Sequence, residues 1–156
     1  MTNKKKFKFL KNNDWKFCVK NSPIIAIDLI IQNKNSEILM GERINNPAKN
    51  FYFVPGGRIL KDEKINNAIK RISNVELGKI YTIEDTYFMN YYEHFYHNSI
   101  WDLENITTHY VVLAFKINSK EIDKYDLNSQ HKNFEWVSKK NEKKLNIHKY
   151  SLEYLN

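Results

Sequence analysis

The chain has 156 residues, with 25 Lys and Arg against 18 Asp and Glu, so its formal net charge is +7. This length suits a single domain, residues 1–156, with a core of its own. No apolar run approaches the roughly 20 residues that a membrane-spanning helix needs, so we expect no membrane partner. A lone cysteine, Cys18, excludes an intramolecular disulfide and any metal site built of cysteines.

The positive charge does not by itself predict nucleic-acid binding. Lysines are scattered along the whole chain among many asparagines, which is typical of a compositional habit rather than of a phosphate track. The start, MTNKKKFKFLKNN, is basic but lacks a following apolar core and cleavage site, so we predict no signal peptide. The lack of a signal peptide and the lone cysteine predict a cytoplasmic protein. The scattered lysines predict no nucleic-acid partner.

The first predicted elements are an N-terminal arm and helix over residues 1–20. The helix rests on the apolar spacing of Trp15, Cys18 and Val19, and Ser22-Pro23 ends it. Residues 24–31, IIAIDLII, are an apolar, β-branched run that predicts a buried strand. Asp28 inside this run needs a partner, and the residues leave open whether the strand turns to water there or the carboxylate is functional.

Two shorter strands, residues 37–42 and 51–54, are predicted next. The first brings Arg43 to its end, and the second leads through Pro55 and two glycines to Arg58. With Arg71, these are three arginines placed to surround one cleft. Since clustered cations repel each other, the arrangement favours an anionic ligand.

The glycine turn opens the most informative stretch, residues 56–78, which holds three of the chain's four glycines. Glycine suits positive φ or a close backbone approach, so the stretch predicts a turn followed by a helix that ends at Gly78. Asp62 and Glu63 are expected in its first turn. Its apolar positions are Ile65, Ala68, Ile69, Ile72 and Val75.

Helical spacing puts Glu63, Asn67 and Arg71 on one side of this helix and Glu76 on its apolar side. A carboxylate there either frays toward solvent or is paired, bound to a cation or directed into a wet cleft. Spacing alone leaves these alternatives open.

The remaining chain predicts two strands, a connector, a final strand and a helix. Residues 80–95 form one long strand or a bent pair that ends with Glu93, His94 and Phe95. Residues 108–117 form the next strand, which turns His109 and Tyr110 to opposite faces. The loop of residues 97–106 can cover a site, with Trp101 either contacting a ligand or packing. Residues 118–130 form a connector or lid, residues 133–138 a strand and residues 139–156 a helix.

Gln130 and His131 stand where the connector meets the last strand. A histidine at such a junction is exposed enough to titrate and fixed enough to be aimed, although most surface histidines have no catalytic role.

The spacing of Gly57, Glu63, Arg71, Glu76 and Gly78 resembles a Nudix box, the loop-helix-loop that holds divalent metal for hydrolysis of nucleoside diphosphate derivatives. The box is modified. Two positions that are glutamate in the standard box are Ile72 and Val75 here, and two aliphatic positions are Ser73 and Lys79.

The same departures characterise the GDP-mannose mannosyl hydrolases, a branch that the chain resembles from about Asp14 to Tyr150. The similarity passes in order through SPIIAIDLI, MGERINNPAKNFYFVPGGR, EHFY, THYVVLAF and SQHKNFEW, with a small length change between Tyr96 and Thr107. The resemblance implies an α/β Nudix fold, a mixed β-sheet sandwiched between helices in a single domain, and a homodimer.

The resemblance also implies the site. One Mg²⁺, replaceable by Mn²⁺, would be held by Glu76, Gln130 and the main-chain carbonyl of Gly56. His131 would be the general base for water attack on the anomeric carbon of GDP-mannose, with GDP-glucose as a poorer substrate. The sugar would be bound by Asp28 and His94, and the phosphates by Arg43, Arg58, Arg71 and Tyr110.

Three alternatives stay open. Arg71 can instead be structural, bridging Glu63 or Glu76. The enzyme can be a nucleotide pyrophosphatase that attacks phosphorus, although the residues at 72 and 75 argue against it. The chain can also be a nucleotide-sugar sensor without turnover, against which the presence of both Glu76 and His131 argues.

Overall fold

The computed structural model describes residues 9–101, 105–118 and 131–155, and only the backbone of residues 131 and 132. The helices are α1 (Asn12–Asn21), α2 (Ile65–Leu77) and α3 (Lys149–Leu152), with 3-10 turns at Ile83–Asp85, Glu142–Lys144 and Glu153–Leu155. The strands are β1 (Ile24–Gln32), β2 (Ile38–Arg43), β3 (Tyr52–Phe53), β4 (Gly56–Arg58), β5 (Tyr87–Tyr96), β6 (Thr108–Asn118) and β7 (His131–Val137). Residues 119–130 of the predicted connector lie outside the described residues.

Strand β1 is the centre of a mixed sheet. It runs parallel to β6, from the pair Ile24 and Tyr110 to the pair Gln32 and Asn118, and antiparallel to β2 and β4. The main path of the sheet is β3-β2-β1-β6-β5, and β7 pairs with β2. In the described part of the chain, no helix is long and apolar enough to cross a membrane.

The two faces of β1 bury different clusters, as the alternation of a strand requires. Ile27, Leu29 and Ile31 pack in the cluster that holds the apolar side of α2. Ile30 packs on the other face with residues of the C-terminal segment, among them Tyr150 and Tyr154. The sheet therefore lies between α2 and the C-terminal segment, and Asp28 belongs to the C-terminal face.

The start of α2 differs from the prediction. The helix begins at Ile65, so Asp62 and Glu63 precede it instead of forming its first turn. Asp62 has a left-handed backbone with φ of 63°, which keeps helical structure from extending further back. Ile65 and Val75, expected on the packed side, are 37% and 44% exposed.

The predicted helix over residues 139–156 is wrong. Within its described part, only α3 and the 3-10 turns at Glu142–Lys144 and Glu153–Leu155 are helical, because the backbone around Ile147 is extended beside β3. The amide of Tyr52 donates to the carbonyl of Asn146 at 2.8 Å, and the amide of His148 donates to the carbonyl of Tyr52 at 3.2 Å. These long-range bonds override the local helical pattern.

The strand expected from residue 80 begins only at Tyr87. A 3-10 turn precedes it, closed by a capping box in which the side chains of Thr82 and Asp85 each bind the other's backbone. This local hydrogen bonding replaces the first part of the predicted strand.

Gly78 and Gly56 in the 56–78 stretch are required for different structural reasons. Gly78 has φ of 64° and caps α2, and its amide donates to the carbonyl of Asn74 at 3.1 Å, which confirms the predicted helix end. Gly56 lies in strand β4 instead of a turn. A Cβ atom there would lie 2.6 Å from Oδ1 of Asp28 and 2.7 Å from the carbonyl oxygen of Ile27. The close approach is to a neighbouring strand.

We therefore expect Gly56→Ala to lower the free energy of unfolding by about 1–3 kcal/mol, as overpacking does in a well-packed core. The corresponding fall in melting temperature is about 3–10 °C and is measurable by differential scanning calorimetry. Gly57→Ala is the matched control, because its Cβ would meet only the flexible Ile72 side chain, at 3.3 Å. Equal melting temperatures for the two variants would contradict this explanation of Gly56.

Candidate active site

The sheet, α1 and α2 surround a cavity of about 570 Å³. It brings together most of the site residues that the sequence predicts, from six different elements. The predicted residues that line it are Asp28, Arg43, Gly56, Arg58, Arg71, Glu76, His94 and Tyr110. Gln130 lies outside the described residues, and of His131 only the backbone is described, opposite Arg43 in the pairing of β7 with β2.

Asp28 has the partner that its burial requires. Its side chain is on the C-terminal face of β1, the residue is 7% exposed, and Oδ2 accepts a hydrogen bond of 2.8 Å from the hydroxyl of Tyr154. Burial raises the pKa of this carboxyl group to about 7, against the opposing effects of the Tyr154 hydrogen bond and the charge of Arg43. Asp28 thus carries a carboxyl group into the cavity from a largely apolar strand.

Arg43 and Arg58 bring positive charge to the cavity. Neither forms an ion pair with a carboxylate in the described part of the chain. The guanidinium carbon of Arg58 lies 3.8 Å from the centre of the Trp15 ring, and Nε of Arg43 is buried without a hydrogen-bond partner among the described residues. Such cations are suited to an anionic ligand, since a buried charge otherwise costs free energy.

Arg71 is engaged within the protein. Its Nε and Nη2 donate to the two carboxylate oxygens of Glu63, each at 2.8 Å, and Nη2 also donates to the carbonyl of Arg58. The carboxylate of Glu63 further accepts the amide of Leu60 at 2.9 Å. These contacts match the structural alternative for Arg71, a bridge that fixes the loop before α2 to the helix.

His94 is buried at 3% exposure, with its ring stacked 4.0 Å from that of Tyr150. In the part of the chain that the structure describes, its Nε2 has no hydrogen-bond partner. Burial, and to a smaller extent the charge of His148, lowers the pKa of His94 to about 4. At neutral pH the imidazole is therefore uncharged and can exchange hydrogen bonds with a ligand hydroxyl group.

This burial predicts a pH dependence of stability. The unfolded chain takes up the His94 proton below about pH 6.5 and the folded chain only below about pH 4, so stability is lost as the pH falls between these values. The loss is at most about 3 kcal/mol. In urea unfolding at pH 7 and pH 4.5, we expect His94→Phe, which keeps a ring against Tyr150, to lose less stability than the wild type. An equal loss in both proteins would contradict this assignment.

The cavity also contains residues that sequence reasoning did not assign to it. Phe9, Trp15 and Tyr96 line it, and Tyr154 binds Asp28 from behind. The helical spacing of Trp15 predicted only that this residue is buried. Nothing in the sequence around it indicates that Arg58 stacks on its ring. Trp101, by contrast, packs beside α1, where its Nε1 donates to Oδ1 of Asn12 at 2.9 Å.

Comparison with known proteins decides the family. The profile of the NUDIX domain matches residues 22–154, most of the chain. The chain belongs to the Nudix family. As a Nudix hydrolase it acts on nucleoside diphosphate derivatives, and its architecture is the single-domain α/β Nudix fold with a mixed sheet flanked by helices, as predicted.

Relatives of this Nudix protein include the low-salt glycan biosynthesis protein Agl8 of Haloferax volcanii. It is 35% identical over 123 residues, which are 78% of this chain and 75% of Agl8. Among solved structures, the MutT protein of Methanosarcina mazei Go1 has a TM-score of 0.67 at 19% identity, covering 86% of this chain and 92% of its own. The NUDIX domain of Shewanella oneidensis NrtR, solved with ADP ribose, has a TM-score of 0.64 at 10% identity, covering 94% and 95%.

Nudix hydrolases generally use divalent metals such as Mg²⁺ or Mn²⁺, and the donors here fit a sparse site. Glu76 is 4% exposed and lines the cavity together with Gly56. Among the described residues there is no group of three His, Cys, Asp or Glu side chains that could hold a metal ion. One carboxylate and a main-chain carbonyl are acceptable to Mg²⁺, which commonly keeps several waters and takes further oxygens from substrate phosphates.

Proposed function

We propose that this Nudix hydrolase cleaves a nucleotide sugar, GDP-mannose, by attack of water on the anomeric carbon. The observation that carries the proposal is the side of α2 that lines the cavity. The cavity residues of this helix are Arg71, Ile72, Val75 and Glu76, so it contributes one carboxylate where a standard Nudix box has more. Ile72 is 2% exposed and is the side chain nearest to Gly57, so an apolar group occupies a position that is glutamate in the standard box.

A single carboxylate favours chemistry at carbon. Attack on phosphorus in ordinary Nudix enzymes depends on a carboxylate-rich helix that holds several metals and activates water. Departure of a nucleoside diphosphate from a sugar carbon requires less assistance from metal ions, because the leaving group is a weak base. Mg²⁺, held by Glu76, Gln130 and the carbonyl of Gly56, would supply charge neutralisation at the diphosphate.

The protein would stabilise the departing diphosphate with Arg43, Arg58 and Tyr110. All three line the cavity, and the two arginines have no carboxylate partner among the described residues. Preorganised donors of this kind stabilise charge as it develops and can replace a general acid. Arg71 takes no direct part in this proposal, since Glu63 already pairs with it.

His131 would act as the general base. It takes one proton from water while the oxygen of that water bonds to the anomeric carbon, and the bond from this carbon to the phosphate oxygen breaks with its electron pair remaining on GDP. Direct displacement inverts the anomeric configuration. The strand pairing that sets the His131 backbone opposite Arg43, a cavity residue, supports this role.

Asp28 and His94 would bind the sugar. Both are buried cavity residues, and Nε2 of His94, which has no partner among the described residues, offers a hydrogen bond to a hydroxyl group. The similarity to Agl8, a glycan biosynthesis protein, supports a sugar-containing substrate. The homodimer and the cytoplasmic location stay predictions.

The test is incubation with GDP-mannose and Mg²⁺ in ¹⁸O-labelled water, followed by mass spectrometry of the products. We expect the label in mannose and none in GDP. Label in GMP or in mannose phosphate would mean attack on phosphorus and would contradict the proposal in favour of a pyrophosphatase. Binding of GDP-mannose without turnover would instead identify a nucleotide-sugar sensor.

A further inference from the structure

The carboxylate of Asp28 is held by a residue that lies 126 positions further along the chain. The hydroxyl of Tyr154 donates to its Oδ2 at 2.8 Å, in a buried contact. Oδ1 lies against β4, so close that a Cβ atom at Gly56 would be only 2.6 Å away. One oxygen is thus held by a hydrogen bond, and the other faces the position where Gly56 has no side chain.

The Tyr154 ring is itself fixed. It is 5% exposed, and Tyr92 packs edge-on against it with ring centres 5.0 Å apart. Its apolar cluster also contains Ile30 and Val54, and Val54 lines the cavity. A tyrosine in this setting delivers its hydroxyl group to one place, because its ring has no room for another rotamer.

We infer that Tyr154 is a positioning residue: its hydroxyl group sets the orientation in which Asp28 meets the sugar of the substrate. This inference rests on the proposed function and extends it to the C-terminal segment. Tyr154 does not line the cavity, so it acts through Asp28 and not on the substrate. Loss of this orientation affects catalysis if the misplaced carboxylate lowers kcat more than it lowers the affinity for the substrate.

The test compares Tyr154→Phe with Tyr92→Phe. Both changes remove one hydroxyl group from the same pair of packed rings, but only the first removes the bond to Asp28. We expect Tyr154→Phe to lower kcat for GDP-mannose by about tenfold to a hundredfold, the range of a hydrogen bond to a charged group, and to raise KM by a smaller factor. Tyr92→Phe should keep the wild-type kcat.

A double-mutant cycle tests whether Tyr154 acts through Asp28. If Tyr154 acts only through Asp28, Asp28→Asn combined with Tyr154→Phe should lose no more activity than Asp28→Asn alone. Additive losses would mean that Tyr154 has an effect of its own and would overturn the inference. So would a Tyr154→Phe variant that melts at a lower temperature but turns over at the wild-type rate, which is the behaviour of a purely structural residue.

The ligand affinities separate this inference from the proposed function. Calorimetric titrations with GDP and with GDP-mannose, both in the presence of EDTA, give by difference the part of the affinity that comes from the sugar. Tyr154→Phe should reduce that part and leave the affinity for GDP unchanged. A wild type that neither binds nor cleaves GDP-mannose contradicts the proposed function and the sugar-directed role together. An active wild type with an unimpaired Tyr154→Phe variant contradicts only the role of Tyr154.

Discussion

Replacing His131 by glutamine will lower kcat for GDP-mannose by about 10²- to 10⁴-fold, the contribution of a positioned general base. Glutamine keeps much of the side-chain size and some hydrogen bonding but cannot take a proton from water. The wild-type rate should rise with pH as the histidine loses its proton, and the residual rate of the variant should lack this rise. Steady-state kinetics from pH 5 to pH 9 measure both effects.

His109→Gln is the matched control for this variant. His109 belongs to β6 but does not line the cavity, and its ring stacks on Phe95 with ring centres 4.3 Å apart. It should therefore keep the wild-type kcat and pH profile. If His131→Gln retains most of its activity, another group takes the proton, and the assignment of the base is wrong.

The second large effect is expected for Glu76→Gln. The change removes the carboxylate that α2 contributes to the cavity and keeps the shape of the side chain. Mg²⁺ affinity should fall, and kcat at saturating nucleotide sugar should drop by roughly 10²-fold or more, since metal-ion stabilisation of transition-state charge amounts to several kcal/mol. Mn²⁺ binding followed by electron paramagnetic resonance provides a readout independent of turnover.

Glu93→Gln serves as the control because it removes the same charge from an exposed position on β5. Its Mn²⁺ binding and its kcat should equal those of the wild type. A Glu76→Gln variant that binds Mn²⁺ as tightly as the wild type would mean that the metal is held elsewhere. Lost turnover with intact metal binding would give Glu76 a role in substrate positioning instead.

Sequence patterns predicted the site best where a residue was out of place in its own element. Asp28 interrupts an apolar strand and Glu76 lies on the apolar side of a helix, and both line the cavity. Such a mismatch is visible locally because a buried charged group needs a partner. Residues whose role depends on a distant partner gave no such signal: Tyr154 is separated from Asp28 by 126 positions.

The errors in the predicted fold have the same origin. The C-terminal segment has a helical pattern, yet its backbone around Ile147 pairs with Tyr52 of β3. Ser73 replaces an aliphatic residue of the standard box, and it too has its partner outside its own element. Its hydroxyl oxygen is fully buried and accepts the amide of Tyr81 at 2.9 Å, which joins α2 to the segment after it.

The contact of Tyr150 with the end of β5 has a consequence for local unfolding. The Tyr150 hydroxyl accepts the amide of Phe95 at 2.7 Å and donates to the carbonyl of the same residue at 2.9 Å, in the manner of an additional strand partner. These bonds therefore join the end of β5 to the C-terminal segment, and they break when the two move apart. Native-state hydrogen exchange at this amide would follow the opening of that segment, so the two regions form one cooperative unit although 55 residues separate them.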